Sequence, residues 1–155
     1  MKKNNVRDCH VLVSGSRGAG KWAVAQARRI ANHLIDREVW LIVGDAEDVD
    51  EAVIDVANER RYSRITVWGA YRKMKRESKY GMNVPYDGDY LGRDDQMAQH
   101  CTHCVAVWNG YSRGTKYTFV AVERKGKRVL VYEIPWEHQI KAPPTRGGSS
   151  SRKHK

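Results

Sequence analysis

The sequence predicts an α/β protein, a three-layer Rossmann-like fold with a five-stranded, mostly parallel sheet. Three observations carry that expectation. Short apolar runs at residues 10–14, 39–43, 64–68, 105–108 and 128–132 are nearly continuous rather than alternating, as strands covered on both faces are. Between them, apolar residues recur at helical spacing, so strand and helix alternate. The small-residue turns at Gly15, Gly44, Gly69 and Asn109-Gly110 all fall at the carboxyl ends of strands. Ligands of open parallel sheets sit at that edge, near the switch in strand order.

The first strand, residues 10–14, runs into a glycine-rich turn. Over residues 21–35, Val24, Ala27, Ile30, Ala31 and Leu34 share one helical face. The second strand ends at Gly44, and Asp45 or Asp48 is placed to cap a helix carrying Val49, Ala52, Val53, Val56 and Ala57 at helical spacing. Gly69 closes the third strand. Residues 70–92 then show no sustained period and hold a basic run, Arg72, Lys73, Lys75, Arg76 and Lys79. Long ordered connections of this kind usually carry function. Residues 93–101 make a short helix. The fourth strand opens a turn at Asn109 and Gly110, a helix follows from Thr115 to Lys125, Gly126 stops it, and the fifth strand comes last.

At 155 residues the chain fits one domain, expected over residues 1–140, with a disordered basic tail over 141–155. Lys141, Arg146, Arg152, Lys153 and Lys155 give that tail part of the net charge of +10, and no acid offsets them. No apolar run approaches the ~18 residues that a membrane helix needs, and the start of the chain has no signal-peptide core. Three cysteines make no disulfide framework, so the expected compartment is the cytoplasm.

Several motifs bear on chemistry. Residues 15–21 match the phosphate-loop spacing G-x-x-x-x-G-K directly after a strand, but Trp22 stands where a Ser or Thr hydroxyl would bind magnesium. The glycine backbone and Arg17 still suit a phosphate without hydrolysis. Asn109, Gly110, Ser112, Gly114 and Thr115 make a second small-residue corner that opens a helix, where unpaired N–H groups favour an anion. His100, Cys101, His103 and Cys104, with Cys9 and His10, have metal-like spacing; buried thiols pack the same way, and no metal is assigned. The acids Asp45, Glu47, Asp48 and Asp50 after the second strand suit a ribose, a base role or helix capping.

Four of these elements recur in one order: Gly15-Ser16-Arg17, then Gly44 to Asp50, then Arg93 with Met97, then Gly110 to Thr115. Together they resemble the SLOG superfamily of Rossmann-like nucleotide-binding domains, in particular its YspA-like branch, related to DprA and LOG proteins. The likeness covers residues 11–132. It implies that Gly15, Ser16, Arg17, Ser112, Gly114 and Thr115 hold nucleotide phosphates. Gly44, Arg93, Met97, Asn109 and Gly110 complete the ligand-binding set, with Asp50 the acidic member of the second motif. Asp45 and Asp48 replace two glycines of the pattern, and Asp94 replaces an asparagine. The glutamate that phosphoribohydrolase relatives carry just after Gly-Thr is missing, since Lys116, Tyr117 and Thr118 stand there.

The resulting expectation is a protein that binds or senses a nucleotide or nucleotide derivative of the NAD, ADP-ribose or nucleoside-monophosphate type. It requires no cofactor and has no membrane partner, and the resemblance implies a homo-oligomer. One alternative is an N-glycosidic-bond hydrolase in which Asp45 or Asp50 replaces the missing glutamate. The other is a nucleic-acid-binding protein using the basic loop and tail.

Overall fold

The computed structural model describes residues 5–139; the basic tail expected over 141–155 lies outside them. Its sheet is fully parallel, with six strands rather than five, in the order β4-β3-β2-β1-β5-β6. The strands are β1 (His10–Gly15), β2 (Trp40–Gly44), β3 (Ile65–Gly69), β4 (Met82–Pro85), β5 (His103–Trp108) and β6 (Arg128–Glu133). The helices are α1 (Gly20–Asp36), α2 (Val49–Glu59), α3 (Tyr90–His100) and α4 (Arg113–Arg124). Among the described residues no helix is long and apolar enough to cross a membrane.

The additional strand, β4, lies inside the stretch that has no sequence period. It pairs with β3 from Thr66↔Met82 to Gly69↔Pro85 at the edge of the sheet. An edge strand tolerates a proline, and four residues that include Asn83 and Pro85 leave no hydrophobic pattern. Side-chain bonds hold it instead: the Ser78 N–H donates to Asn83 Oδ1 (2.8 Å), and Asn83 Nδ2 donates to the Ser78 carbonyl (2.9 Å).

β1 lies at the centre. Its Val11 and Val13 face the larger core cluster, which includes residues of α1 and α2, and Leu12 faces the cluster that includes residues of α3 and α4. Small residues on α1, Ala23, Ala27 and Ala31, are fully buried, with Val24 and Leu34 at the margin of the core. β1 is also where strand order turns: the chain proceeds outward from β1 to β4, then returns to place β5 on β1's other side. The crevice between the carboxyl ends of β1 and β5 is therefore the switch point at which such sheets bind ligands.

Gly15, the last residue of β1, lets α2 start against the strand. A Cβ there would overlap the fully buried side chain of Val49. Overpacking of this kind costs about 1–3 kcal/mol. Gly15→Ala should lower the urea midpoint accordingly, and Val49→Ala in the same chain should not restore it, because the overlap includes the Val49 Cβ that alanine retains. An unchanged midpoint for Gly15→Ala would refute the close packing.

Candidate functional site

Two loops close on each other at the crevice. The Ser16 N–H donates to the Val107 carbonyl (3.1 Å), the Asn109 N–H donates to Ser16 Oγ (3.3 Å), and Ser16 Oγ lies 3.4 Å from Thr115 Oγ1. Ser16 is fully buried, so its hydroxyl joins the loop after β1 to the loop after β5. Asn109 Oδ1 accepts the N–H groups of Tyr111 (3.0 Å) and Ser112 (2.8 Å), a turn that aims the chain into α4. Gly110 supplies the left-handed residue of that turn at φ 92°. Ser112 caps α4, its Oγ accepting the Thr115 N–H at 3.5 Å. As first residues of the helix, Arg113 and Gly114 have N–H groups with no intrahelical acceptor.

These loops form one wall of a cleft of about 80 Å³. Of the residues expected at the site, Gly15, Arg17, Gly44, Asp50, Arg93, Met97, Ser112, Gly114 and Thr115 line it. Ser16, Asn109 and Gly110 stand behind that wall and shape it. Asp45 is buried beside it, with both carboxylate oxygens engaged: Oδ1 by Arg93 Nη1 (3.1 Å) and Oδ2 by the Lys75 N–H (2.7 Å). Asp94 and Thr118 also line the cleft, although the sequence-derived set omits both. Their positions gave a clue: Thr118 is one helical turn beyond Thr115, and Asp94 adjoins Arg93.

The floor is a buried charge cluster around Arg93. Its guanidinium donates to Asp94 Oδ1 from Nε (3.1 Å) and Nη2 (3.0 Å), to Asp45, and to the Trp68 carbonyl (3.3 Å). Gly44 makes this approach feasible, because a Cβ there would sit 2.8 Å from Asp50 Oδ2 and 3.1 Å from the guanidinium carbon. Asp50 accepts the Ala46 N–H at 3.0 Å. Burial pushes its carboxyl up to about 7, against the opposing pull of Arg93 and that N–H. Burial also raises Asp94, opposed by Arg93 and by the Thr118 hydroxyl. Arg93 thus compensates Asp45 and Asp94, and Asp50 sits near its protonation midpoint at neutral pH. That arrangement accounts for extra acids beside an anion corner.

Neither candidate cap of α2 caps it with its side chain. Asp48 occupies the cap position at φ 67°, in the left-handed region that favours glycine, and its Oδ2 accepts the Ala19 N–H at 3.0 Å. It serves the start of α1, which has no side-chain cap of its own. Among the described residues no group of three or more His, Cys, Asp and Glu side chains is placed to hold a metal. Cys101 donates to the Ala98 carbonyl (3.4 Å), and burial raises the thiols of both Cys101 and Cys104.

The basic stretch between β3 and β4 forms the outer rim. Arg72 pairs with Asp87 (2.9 Å) and Arg76 with Glu51 (3.5 Å), whereas Lys73, Lys75 and Lys79 have no ion pair among the described residues. Lys75 Nζ, Arg93 Cζ and Arg17 Cζ lie 5.0, 5.1 and 5.6 Å from the centre of the Tyr90 ring.

No family model and no curated protein matches the chain. Solved structures do. The X-ray structure of TM1055, a structural-genomics target, aligns with a TM-score of 0.64 at 17% identity, covering 78% of this chain and 72% of that one. DNA processing protein A from Helicobacter pylori, described for its single-stranded DNA binding mode, aligns at 0.70 with 12% identity, covering 86% and 69%. The molybdenum cofactor carrier protein from Chlamydomonas reinhardtii aligns at 0.59 with 17% identity, covering 81% and 76%. At these identities the likeness shows the fold alone: this chain shares with all three a Rossmann-like layered fold around a parallel sheet.

Proposed function

We propose that the chain binds a nucleotide or nucleotide derivative, with a phosphate at the start of α4 and the ribose toward Asp50. The observation that carries this reading is the crevice between β1 and β5. There the first N–H groups of α4 meet the Ser112 and Thr115 hydroxyls and the exposed Arg17. A ribose hydroxyl can donate to the ionised Asp50 carboxylate or accept from its neutral form. The structural neighbours are named for different ligands, single-stranded DNA in one case and a molybdenum cofactor in another. The choice for this chain therefore rests on its own cleft.

Thermal-shift titration with NAD, ADP-ribose and AMP tests this, with mass spectrometry of each mixture afterwards. Gly114→Asp is the clean probe, because Thr115 is buried and a larger residue there would disturb the fold. Nothing lies within 4 Å of a Cβ on Gly114, and a carboxylate in the first turn suits the helix dipole. The fold should survive, and affinity for a phosphate-bearing ligand should fall by at least about tenfold through like-charge repulsion. Unchanged affinity would remove the phosphate assignment.

A second reading is N-glycosidic hydrolysis. It is supported by Asp50 alone, a cleft-lining carboxyl held at about 7, where a group can both give and take a proton. Release of free base from the mixtures would favour it, and intact ligand would favour binding. Stabilisation by none of the nucleotides would turn attention to polyanions on the basic rim.

A further inference from the structure

We propose that the ring of Tyr71 is the base-stacking platform of this site, so that the ligand carries a heteroaromatic base beyond its phosphate and ribose. The proposal rests on the phosphate reading above and adds a subsite to it. A cleft of about 80 Å³ holds several waters or a phosphate, not a whole nucleotide. The base must lie outside, at the mouth.

Tyr71 does not line the cleft itself and is 58% exposed. It meets Tyr90 edge to face, with centroids 5.5 Å apart and planes at 81°. Tyr90 in turn lies 5.1 Å from the Arg93 guanidinium carbon, and Arg93 lines the cleft. Two ring contacts therefore connect the cleft floor to Tyr71, a distance within the span of one nucleotide. The cations near Tyr90 are Arg17, Lys75 and Arg93; among the described residues no cation lies over the ring of Tyr71.

The backbone that presents this ring is strained. Tyr71 and Arg72 are successive non-glycine residues in the left-handed region, at φ 55° and 60°. The loop ahead of α3 holds them there: the Tyr71 N–H donates to the Gly88 carbonyl (2.7 Å), the Arg72 N–H donates to the Tyr86 carbonyl (2.9 Å), and Arg72 pairs with Asp87. A turn over-determined in this way, which leaves a large ring in solvent beside a cleft, fits a ligand clamp.

Single-stranded nucleic acid fits less well, because it uses successive stacking rings along a groove. Tyr80, the other exposed ring of the same connection, precedes β4 and so lies at the opposite, amino edge of the sheet. Tyr111, 54% exposed near Ser112, has no aromatic or cationic partner among the described residues and serves as the control.

The test is calorimetric titration with ADP-ribose and with ribose 5-phosphate, which has no base. Tyr71→Ala should weaken ADP-ribose about tenfold, the order of one base–aromatic stack, and leave ribose 5-phosphate unchanged. Tyr71→Phe should bind ADP-ribose as the parent does, and Tyr111→Ala should have no effect. If Tyr71→Ala binds ADP-ribose normally while Gly114→Asp does not, the platform is wrong and the phosphate site stands. If neither probe binds the parent protein, the phosphate reading fails and this subsite fails with it. Binding of a single-stranded oligonucleotide that depends on Tyr71, with no binding of ADP-ribose, would overturn the proposal in favour of nucleic acid.

Discussion

Replacing Arg93 by leucine should destabilise the protein by about 3–5 kcal/mol at pH 8, as expected when one partner is removed from a buried ion cluster. The guanidinium is almost fully enclosed, as are the carboxylates it serves; Arg93, Asp45 and Asp94 are 7%, 1% and 7% exposed. Leucine would fill part of the volume but leave Asp45 with only the Lys75 N–H and Asp94 with only Thr118. Asp50 would lose the charge that most opposes its upward shift. The penalty should shrink at pH 5, because Asp50, pushed up to about 7 by burial, is then protonated and needs no counter-charge, and burial biases Asp94 in the same direction. Adding Asp45→Leu and Asp94→Leu should restore much of the stability, since an all-apolar replacement of a buried cluster is often neutral. Urea unfolding at both pH values measures this. A loss below about 1 kcal/mol at pH 8 would mean that the cluster is wetter than its burial indicates.

The central sheet was legible because β1 and β2 are buried on both faces, which writes itself as consecutive Val, Leu and Ile, and because β3 and β5, though they mix buried with half-buried positions, keep short apolar runs. β6 was legible from its apolar run even though Leu130 and Tyr132 face solvent. β4 was not, because an edge strand held by Asn83 and Ser78 needs no apolar pattern. The start of α3 was also missed by three residues: Asp89 caps it, accepting the Gly92 N–H at 2.8 Å, but follows a run of turn residues that masks the cap. At the site, spacing marked the two glycine corners, and the resemblance supplied Arg93. It could not reveal that Asp45 is locked to Arg93, or that Asp48 bonds across to Ala19, because those bonds join residues 48 and 29 positions apart. Tyr71 and Tyr90 were invisible for the same reason: their contact depends on a left-handed turn at non-glycine residues, which no local preference announces.

Asp50→Asn should stabilise the protein, and by more as the pH rises. The sign follows from the shift. Burial raises the Asp50 carboxyl from an ordinary 3.8 to about 7 in the folded state. Between those values the folded chain holds a proton that the unfolded chain has released, so stability falls as pH rises. The contribution of neutral Asp50 is complete below about 3.8, declines up to about 7, and is constant above that. Asparagine carries no proton to lose, and its Oδ1 can still accept the Ala46 N–H. The variant should match the parent near pH 4 and exceed it by on the order of 2–4 kcal/mol at pH 8, at 1.36 kcal/mol per pH unit. Urea unfolding across that range provides the test, and parallel pH profiles for the two proteins would show that Asp50 ionises freely in the fold. The same pair of proteins separates the functional readings. A binding site that needs Asp50 only as a hydrogen-bonding group keeps its ligand when the residue is Asn. A site that needs its proton to cleave a glycosidic bond binds but no longer turns over.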